Sequence, residues 1–301
     1  MTHVMIYGAA GFVGTTLLAA DEPLAERLTL VDQKPIMAQP QHAVIQGTAL
    51  PDEAADVLLV LAGQTDVDQA LADPALAFTA NGAIALEAAE WWRRHPQARV
   101  VYLSSDEVLG VADEPLAEDA PYCPTQPYAA SKAAAEMTLR CYAESYGMDL
   151  IVVRSCNLVG GHQRARKLLP TAVRTLASGL PAPVFGTGRQ TREYMAVEDL
   201  CEALRLAASG TLPADIYHCS SGTAFTVLDV VEIVAEAVGA PASYEHVADR
   251  LVHDRAYAMN PARLRSFGWE SRVSPDKAIR RAAQHMLAAW QRGEQLTPPL
   301  S

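Results

Sequence analysis

Two short stretches of the sequence carry side chains that could perform chemistry together. Tyr128 and Lys132 lie four positions apart in PYAASKAAAE, a spacing that places both on one face of a helix. A lysine ammonium close to a phenol favours the phenolate, so we expect Tyr128 to accept a proton from a hydroxyl near neutral pH. The run RVVYLSS ends at Ser105 and is followed by Asp106 and Glu107. Neighbouring carboxyl groups repel, so one can keep a proton while the other acts as a base.

A third stretch, GAAGFVG, has the composition of a phosphate-binding turn. Gly8, Gly11 and Gly14 follow the first predicted strand and open a predicted helix. Glycine lets the backbone bend and approach a pyrophosphate, whose charge meets the free N–H groups of the helix start. Asp32 ends the next predicted strand, LTLVD, where a carboxylate can bind ribose hydroxyls and repel a 2′-phosphate. The pattern predicts a dinucleotide site that takes NAD rather than NADP.

The elements that must position these residues alternate between strands and helices. Apolar runs that predict strands are HVMIYG, LTLVD, HAVIQG, DVLLVLAG, RVVYLSS and DLIVVRS. Helices are predicted for FVGTTLLAA, for one long segment from Val67 to His95, and for Tyr128 to Tyr146. Such alternation predicts an α/β protein with a Rossmann-like, doubly wound parallel sheet.

Beyond Asn157, frequent proline and glycine predict loops and short strands in a smaller second lobe. We expect two further helices there, near Val197 to Ala208 and near Val227 to Val238. The predicted division is a first domain over residues 1–156 and a C-terminal lobe over 157–301, interleaved as one compact body.

Composition excludes several classes of protein. The chain has 301 residues, of which 50% are hydrophobic and 20% charged, so it is neither disordered nor fibrous. A net charge of −11 argues against a surface that binds nucleic acid. Neither a leader segment nor an apolar run of about 18 residues is found, which predicts no membrane association. Five cysteines without metal-binding spacing predict reduced thiols, no metal site and a cytoplasmic location.

The glycine turn, the serines at the strand end and the Tyr-Lys pair together resemble the extended short-chain dehydrogenase/reductase family, also known as the NAD-dependent epimerase/dehydratase family. In that family the Tyr and Lys act with a Ser or Thr on a substrate hydroxyl, and the C-terminal lobe binds a nucleotide-sugar. The stretch SSDEVLG resembles STDEVYG of the family's dTDP-glucose 4,6-dehydratases. The resemblance therefore implies catalytic roles for Tyr128, Lys132, Ser105, Asp106 and Glu107.

These likenesses also imply the reaction. Tyr128 and NAD would oxidise C4 of a nucleotide-hexose, Glu107 would take the C5 proton, and Asp106 would protonate the departing C6 hydroxyl. Loss of water across C5 and C6 needs one proton removed and one delivered, which suits a paired base and acid. The hydride would then return to C6.

The cofactor residues expected from the glycine turn and the resemblance are Gly8, Gly11, Phe12, Val13, Gly14, Asp32, Leu61, Ala62, Thr65, Tyr128 and Lys132. Segments in the second lobe also resemble the family, and they imply that the nucleotide-sugar is bound by Ser105, Asn157, Lys167, Leu168, Phe185, Arg192, Arg250 and His253. One departure concerns the cofactor: Thr48 stands where the family commonly has an Asp that recognises adenine.

Alternatives on the same fold are a 4-epimerase, a nucleotide-sugar decarboxylase, and a 5,6-dehydratase that stops at the exocyclic alkene. A non-catalytic NAD-binding protein is a further possibility, which the intact Ser-Tyr-Lys set disfavours. The resemblance also implies a homodimer, in which two long helices of each subunit form a four-helix interface. Apolar residues recur on these helices at Leu76, Ala80, Ile84, Ala88, Trp91, Trp92, Ala133, Met137, Cys141 and Tyr142.

Overall fold

The computed structural model describes residues 2–36, 42–163, 166–252 and 254–294. The strands are β1 His3–Tyr7, β2 Arg27–Asp32, β3 Ala43–Gln46, β4 Val57–Val60, β5 Arg99–Ser105, β6 Leu150–Ser155, β7 Asn157–Val159, β8 Ala182–Phe185, β9 Thr191–Ala196, β10 Ile216–Cys219, β11 Ala224–Thr226 and β12 Tyr244–Val247. The helices are α1 Phe12–Ala19, α2 Val67–Ala72, α3 Pro74–Arg94, α4 Pro127–Tyr146, α5 Leu168–Ala177, α6 Val197–Ala208, α7 Val227–Val238, α8 Ala262–Arg265 and α9 Pro275–Gln291.

Within the described residues, seven strands form a parallel sheet in the order β10-β6-β5-β4-β1-β2-β3. The sheet is covered on both faces, by α1 and α6 on one side and by α3 and α4 on the other. Burial on both faces explains why β4 is wholly apolar and why β6 begins with the apolar run LIVV, without alternation. The predicted Rossmann-like α/β fold is confirmed.

The long helix predicted from Val67 to His95 is in fact two helices, α2 and α3. Asp73 separates them, and its carboxylate accepts a hydrogen bond of 3.1 Å from the N–H of Leu76. Pro74 occupies the first turn of α3, where its missing N–H has no helical partner to lose. An N-cap residue followed by proline therefore starts a new helix at this point.

Within the described residues, the second lobe contains three helices that the sequence did not predict: the short α8, and α5 and α9, which pack with α7. The apolar positions of α9 follow helical spacing along one face, so the segment carries a helical pattern that the sequence analysis did not use. The chain also returns to the first body, because β10 extends the central sheet beside β6 and α6 covers one face of it. We therefore propose that the boundary after residue 156 separates the cofactor-binding part from the substrate-binding part. In space, β10 and α6 cross this boundary.

Several apolar residues that were expected to face a partner subunit lie in the core instead. Trp91 is fully buried, and Ala88, Trp92 and Ala133 are almost as inaccessible. The indole N–H groups are also used internally, since Trp92 donates to the carbonyl of Ala98 at 3.0 Å. These side chains fill the space between α3, α4 and the sheet, so they cannot contribute to a subunit interface.

Candidate active site

The glycine turn brings the backbone of β1 close to the end of β4. Gly8 has φ +98°, and a Cβ on this residue would lie 2.4 Å from the backbone nitrogen of Ala62. A Cβ on Gly14 would lie 2.5 Å from the carbonyl oxygen of Ala9. Neither position can hold a side chain without displacing backbone, so the turn needs glycine at both. The result is an open edge at the carboxyl end of the sheet.

Asp32 lies at the end of β2, directly beside this turn. Its carboxylate accepts hydrogen bonds of 2.9 Å from the N–H of Ala10 and 2.9 Å from the N–H of Lys34. Each oxygen keeps a further lone pair that a ribose hydroxyl could use. The arrangement fits the ribose that the sequence pattern predicted for this position.

All the residues predicted to hold the cofactor line two adjoining cavities along this edge. Gly8, Gly11, Leu61 and Ala62 line both. Asp32 belongs to the outer cavity. The inner cavity is also lined by Phe12, Val13, Gly14, Thr65, Tyr128 and Lys132. The two cavities form one path from the end of β2 to the Tyr-Lys pair, which fits an extended dinucleotide.

The paired acids lie at the other end of this path, in a short 3₁₀ turn that follows β5. The Ser105 hydroxyl donates to Oδ1 of Asp106 at 3.0 Å and accepts from the N–H of Glu107 at 3.3 Å. Asp106 is 4% exposed, and its buried Oδ2 has no hydrogen-bond partner among the described residues. Burial, and then the charge of Glu107, raise the pKa of Asp106 to about 8. Asp106 is therefore a protonated acid at neutral pH.

Glu107 experiences a different environment. Its Oε2 accepts a hydrogen bond of 2.5 Å from the side-chain amide of Gln126. Burial raises the pKa of Glu107, whereas the charges of Lys167 and Arg192 act in the opposite direction. The two neighbouring carboxyl groups therefore differ in the charges around them, and only Glu107 lies beside basic groups that favour its ionised form, as the base of an acid and base pair requires.

Gln126 is a site residue that the sequence analysis missed. Besides its bond to Glu107, its side-chain oxygen accepts a hydrogen bond of 2.7 Å from the N–H of Tyr128. It therefore links the start of α4 to the acid pair. The signal that could have identified it is its position as the N-cap of α4, directly before Pro127 and Tyr128.

The Tyr-Lys pair shares one face of α4, but its electrostatics differ from expectation. Burial, and then Glu107, raise the pKa of Tyr128, so the phenolate is not favoured by the protein alone. Lys132 donates to the carbonyl of Leu103 at 2.7 Å, and burial lowers its pKa to about 7. Burial is the largest cause of both shifts. The positive charge of an oxidised nicotinamide in this pocket would lower the pKa of Tyr128.

Most residues predicted to bind the nucleotide-sugar line a further cavity. Glu107 lines both this cavity and the inner one. This cavity is lined by Asn157, Lys167, Leu168, Arg192 and Arg250. Ser105 lines the neighbouring inner cavity. Phe185 lies beneath Arg250, whose guanidinium carbon is 4.8 Å from the ring centre. His253 lies outside the described residues.

The structure adds Asp68 and Tyr257 to this cavity, two residues that the sequence analysis did not single out. Lys167 donates to the carbonyl of Thr65 at 3.0 Å, and Arg250 pairs with Asp68. The guanidinium carbon of Arg192 lies 4.5 Å from the centre of the Tyr257 ring. With Arg166, four basic side chains therefore line a space next to the acid pair, which suits a ligand with two phosphates.

Comparisons with known proteins agree with this geometry. Residues 4–220 match the NAD dependent epimerase/dehydratase family. The chain belongs to this family. A dTDP-glucose 4,6-dehydratase of an Actinoplanes species is 32% identical, over 90% of this chain and 93% of the relative. The low-salt glycan biosynthesis protein Agl12 of Haloferax volcanii is 29% identical, over 94% of this chain and 98% of that protein.

Among solved structures, DesIV of Streptomyces venezuelae, a dTDP-glucose 4,6-dehydratase with NAD bound, superposes with a TM-score of 0.90. It is 27% identical, and the match covers 98% of this chain and 100% of DesIV. The predicted family, its fold and its dependence on NAD are confirmed. The activity predicted for this chain is the one named for the Actinoplanes relative and for DesIV.

Across the described ranges, no helix is both long and apolar enough to cross a membrane. The same residues contain no group of three or more His, Cys, Asp or Glu side chains arranged to hold a metal ion.

Proposed function

We propose that the chain is an NAD-dependent nucleotide-hexose 4,6-dehydratase. One observation carries the proposal: Asp106 and Glu107 lie side by side at the end of β5, one protonated at neutral pH and the other beside the charges of Lys167 and Arg192. A reaction confined to hydride transfer would need neither of them. Elimination of water needs both.

The chain's own groups divide the reaction into proton transfers. Tyr128, with Ser105 beside it, takes the proton of the C4 hydroxyl. NAD, when held at this site, would supply the hydride acceptor for C4 and the hydride donor for C6. Glu107 removes the C5 proton, which the C4 ketone has made acidic, and Asp106 gives its proton to the C6 hydroxyl, which leaves as water. As the hydride reaches C6, Glu107 returns its proton to C5, and the proton taken by Tyr128 balances the one that Asp106 gave to the departing water.

A 4-epimerase would oxidise and reduce the same carbon and would need no group to protonate a C6 hydroxyl. A buried, protonated Asp106 costs stability, because its carboxyl must be held out of water. Its retention beside Glu107 supports elimination over epimerisation. The 5,6-dehydratase would use the same pair, so the product decides between the two dehydratases.

The substrate end of the site supports a nucleoside diphosphate-sugar. Lys167, Arg192 and Arg250 line one cavity in a protein of net charge −11, so these basic groups are concentrated where a diphosphate would lie. Phe185, next to Arg250, offers an aromatic face for the base. His253 is proposed at the same ligand by resemblance alone.

The test is to incubate the purified protein with dTDP-, UDP-, GDP- and CDP-hexoses in turn and to identify the products by mass spectrometry and absorbance. A 4-keto-6-deoxy product, lighter than its substrate by one water, is expected from one of them. A product of unchanged mass with inverted C4 would instead establish an epimerase. An exocyclic alkene would establish the 5,6-dehydratase.

We also propose a homodimer formed through α3 and α4. These helices pack against each other and present exposed apolar side chains that the subunit itself leaves uncovered: Phe78, Leu86 and Met137 are 44%, 49% and 56% exposed. Neighbouring exposed apolar groups of this kind support a contact between copies.

A cytoplasmic location is proposed from the cysteines, which are all free thiols.

A further inference from the structure

The outer cavity is lined by Asp32 and lies where the adenine of a dinucleotide would follow its ribose, but it lacks the acid that the family commonly places in the loop after β3. Position 48 is threonine, and its carbonyl accepts a hydrogen bond of 2.5 Å from the hydroxyl of Tyr7. This loop therefore offers the cavity no carboxylate. Any group that recognises the base by charge must come from elsewhere.

The opposite wall is one face of α3. Leu76, Ala80, Ala83 and Ile84 recur there at helical spacing and give an apolar surface. Glu87 continues the same face one turn further along the helix and also lines the cavity. A planar base between this wall and the loop at residues 47–49 would have apolar contacts on its face and a carboxylate at its edge.

The carboxylate of Glu87 is fixed in place. Its Oε1 accepts a hydrogen bond of 2.9 Å from the N–H of Leu50, while Oε2 has no hydrogen-bond partner among the described residues. Burial raises the pKa of Tyr7 to about 12, and the charges of Glu87 and Asp32 add to the increase. Both carboxylates therefore act on the same part of the cavity, one beside the glycine turn and the other on α3.

We propose that Glu87 recognises the adenine of NAD by accepting a hydrogen bond from its exocyclic amino group. Asp32 would bind the ribose, and the apolar face of α3 would cover the adenine ring. Oε2 of Glu87 would accept a hydrogen bond from the amino group. This role moves the acidic partner of adenine from the loop after β3 to α3. It depends on NAD binding and not on the dehydratase activity proposed above.

The decisive probe is nicotinamide hypoxanthine dinucleotide, which carries a carbonyl where NAD carries the amino group. Purified protein is exchanged against an equal mixture of the two dinucleotides, freed of unbound nucleotide and denatured, and the released nucleotides are quantified by chromatography. Wild-type protein should retain NAD over the hypoxanthine analogue by about tenfold, the effect of one charge-assisted hydrogen bond. Equal retention by the wild type would overturn the proposal without any variant.

Glu87→Gln keeps an oxygen for the Leu50 N–H and replaces the second acceptor by an amide N–H₂, which can donate to the hypoxanthine carbonyl. The preference for NAD should fall to about parity or reverse. Glu90→Gln is the matched control. Glu90 lies on the same helix and pairs with Arg93 and Tyr142 at the surface, so its substitution should keep the wild-type ratio. An unchanged ratio in Glu87→Gln would show that Glu87 only anchors the loop at Leu50.

Discussion

Arg250 and Asp68 join the two halves of the site through a bidentate ion pair. Nε of Arg250 lies 2.7 Å from Oδ1 of Asp68 and Nη2 lies 3.0 Å from Oδ2, although the residues are 182 positions apart. Asp68 is in the first turn of α2, and Arg250 follows β12. The carboxylate thus occupies the same donors that a substrate diphosphate would use.

Asp68→Asn should therefore strengthen binding of a nucleoside diphosphate. Removal of the charge weakens the competing ion pair, and because the pair is partly exposed we expect a gain of about three- to fivefold. Titration of the ligand by calorimetry measures the change. Arg250→Ala should weaken binding by about tenfold or more.

The matched control for this pair is Asp113→Asn, because Asp113 forms an exposed ion pair with Arg255. It should leave the affinity unchanged. If Asp68→Asn weakens binding instead, Asp68 orients Arg250 for the diphosphate and does not compete with it.

Substitutions at the acid pair should separate oxidation from elimination. Glu107→Gln should still reduce bound NAD when sugar nucleotide is added, yet should fail to exchange the C5 hydrogen with deuterated solvent. Asp106→Asn should exchange that hydrogen while water loss slows. Each variant should lose about 10²-fold or more in turnover, the usual effect of removing a positioned acid or base. Absorbance of NADH and mass spectrometry of the recovered sugar measure the two steps.

Tyr128→Phe provides the contrast, since it should abolish NADH formation as well. Glu114→Gln, an exposed acid beyond the strand end, serves as the matched control and should behave as wild type. Wild-type turnover of Glu107→Gln on a substrate that Tyr128→Phe cannot process would mean hydride transfer without elimination.

The buried carboxyl of Asp106 should make stability depend on pH. The folded protein holds its proton up to about pH 8, whereas the unfolded chain releases it near the ordinary pKa of 3.8. Between these values the unfolded state binds fewer protons, so the free energy of unfolding falls as pH rises, by about 1.4 kcal/mol per pH unit. Asp106→Asn removes this loss, and its stability relative to wild type should increase from about pH 5 to about pH 8.

Urea denaturation of both proteins at the two pH values, with matched cofactor content, measures the difference. Asp113→Asn is the control, because Asp113 lies at the surface. Parallel pH profiles for wild type and Asp106→Asn would mean that Asp106 ionises normally in the folded protein.

The proposed dimer predicts that charge on α3 or α4 separates the subunits. Leu86→Arg or Met137→Arg should convert the dimer to a monomer at micromolar concentration, because each places a guanidinium in an apolar contact. Light scattering coupled to gel filtration measures the mass. Leu180→Arg, at an equally exposed leucine in the turn after α5, should leave the dimer intact. A monomeric wild type would contradict the proposal.

Local sequence patterns predicted those parts of the molecule that depend on local physical chemistry. Buried parallel strands are continuous apolar runs, and glycine is required where the backbone of Gly8 approaches Ala62. Helices α6 and α7 have the predicted bounds because each has one clear apolar face. Helix α9 was missed although its buried positions also lie on one face of the helix.

Contacts between distant segments could not be predicted in this way. Gln126 reaches Glu107 only because β5 and α4 lie side by side, and Arg250 reaches Asp68 only after the second lobe folds over the sheet. The pKa of Tyr128 likewise depends on how completely the pocket excludes water, which the spacing of Tyr and Lys does not reveal.

The groups assigned to proton transfer all come from one short stretch, residues 105–132, anchored by a central strand and the start of a long helix. The basic groups come from separate segments around residues 167, 192 and 250, outside the central sheet. Changes in those segments could alter which sugar nucleotide is accepted while the acid and base stay in place. The architecture thus allows substrate range to evolve, or to be engineered, independently of the chemistry.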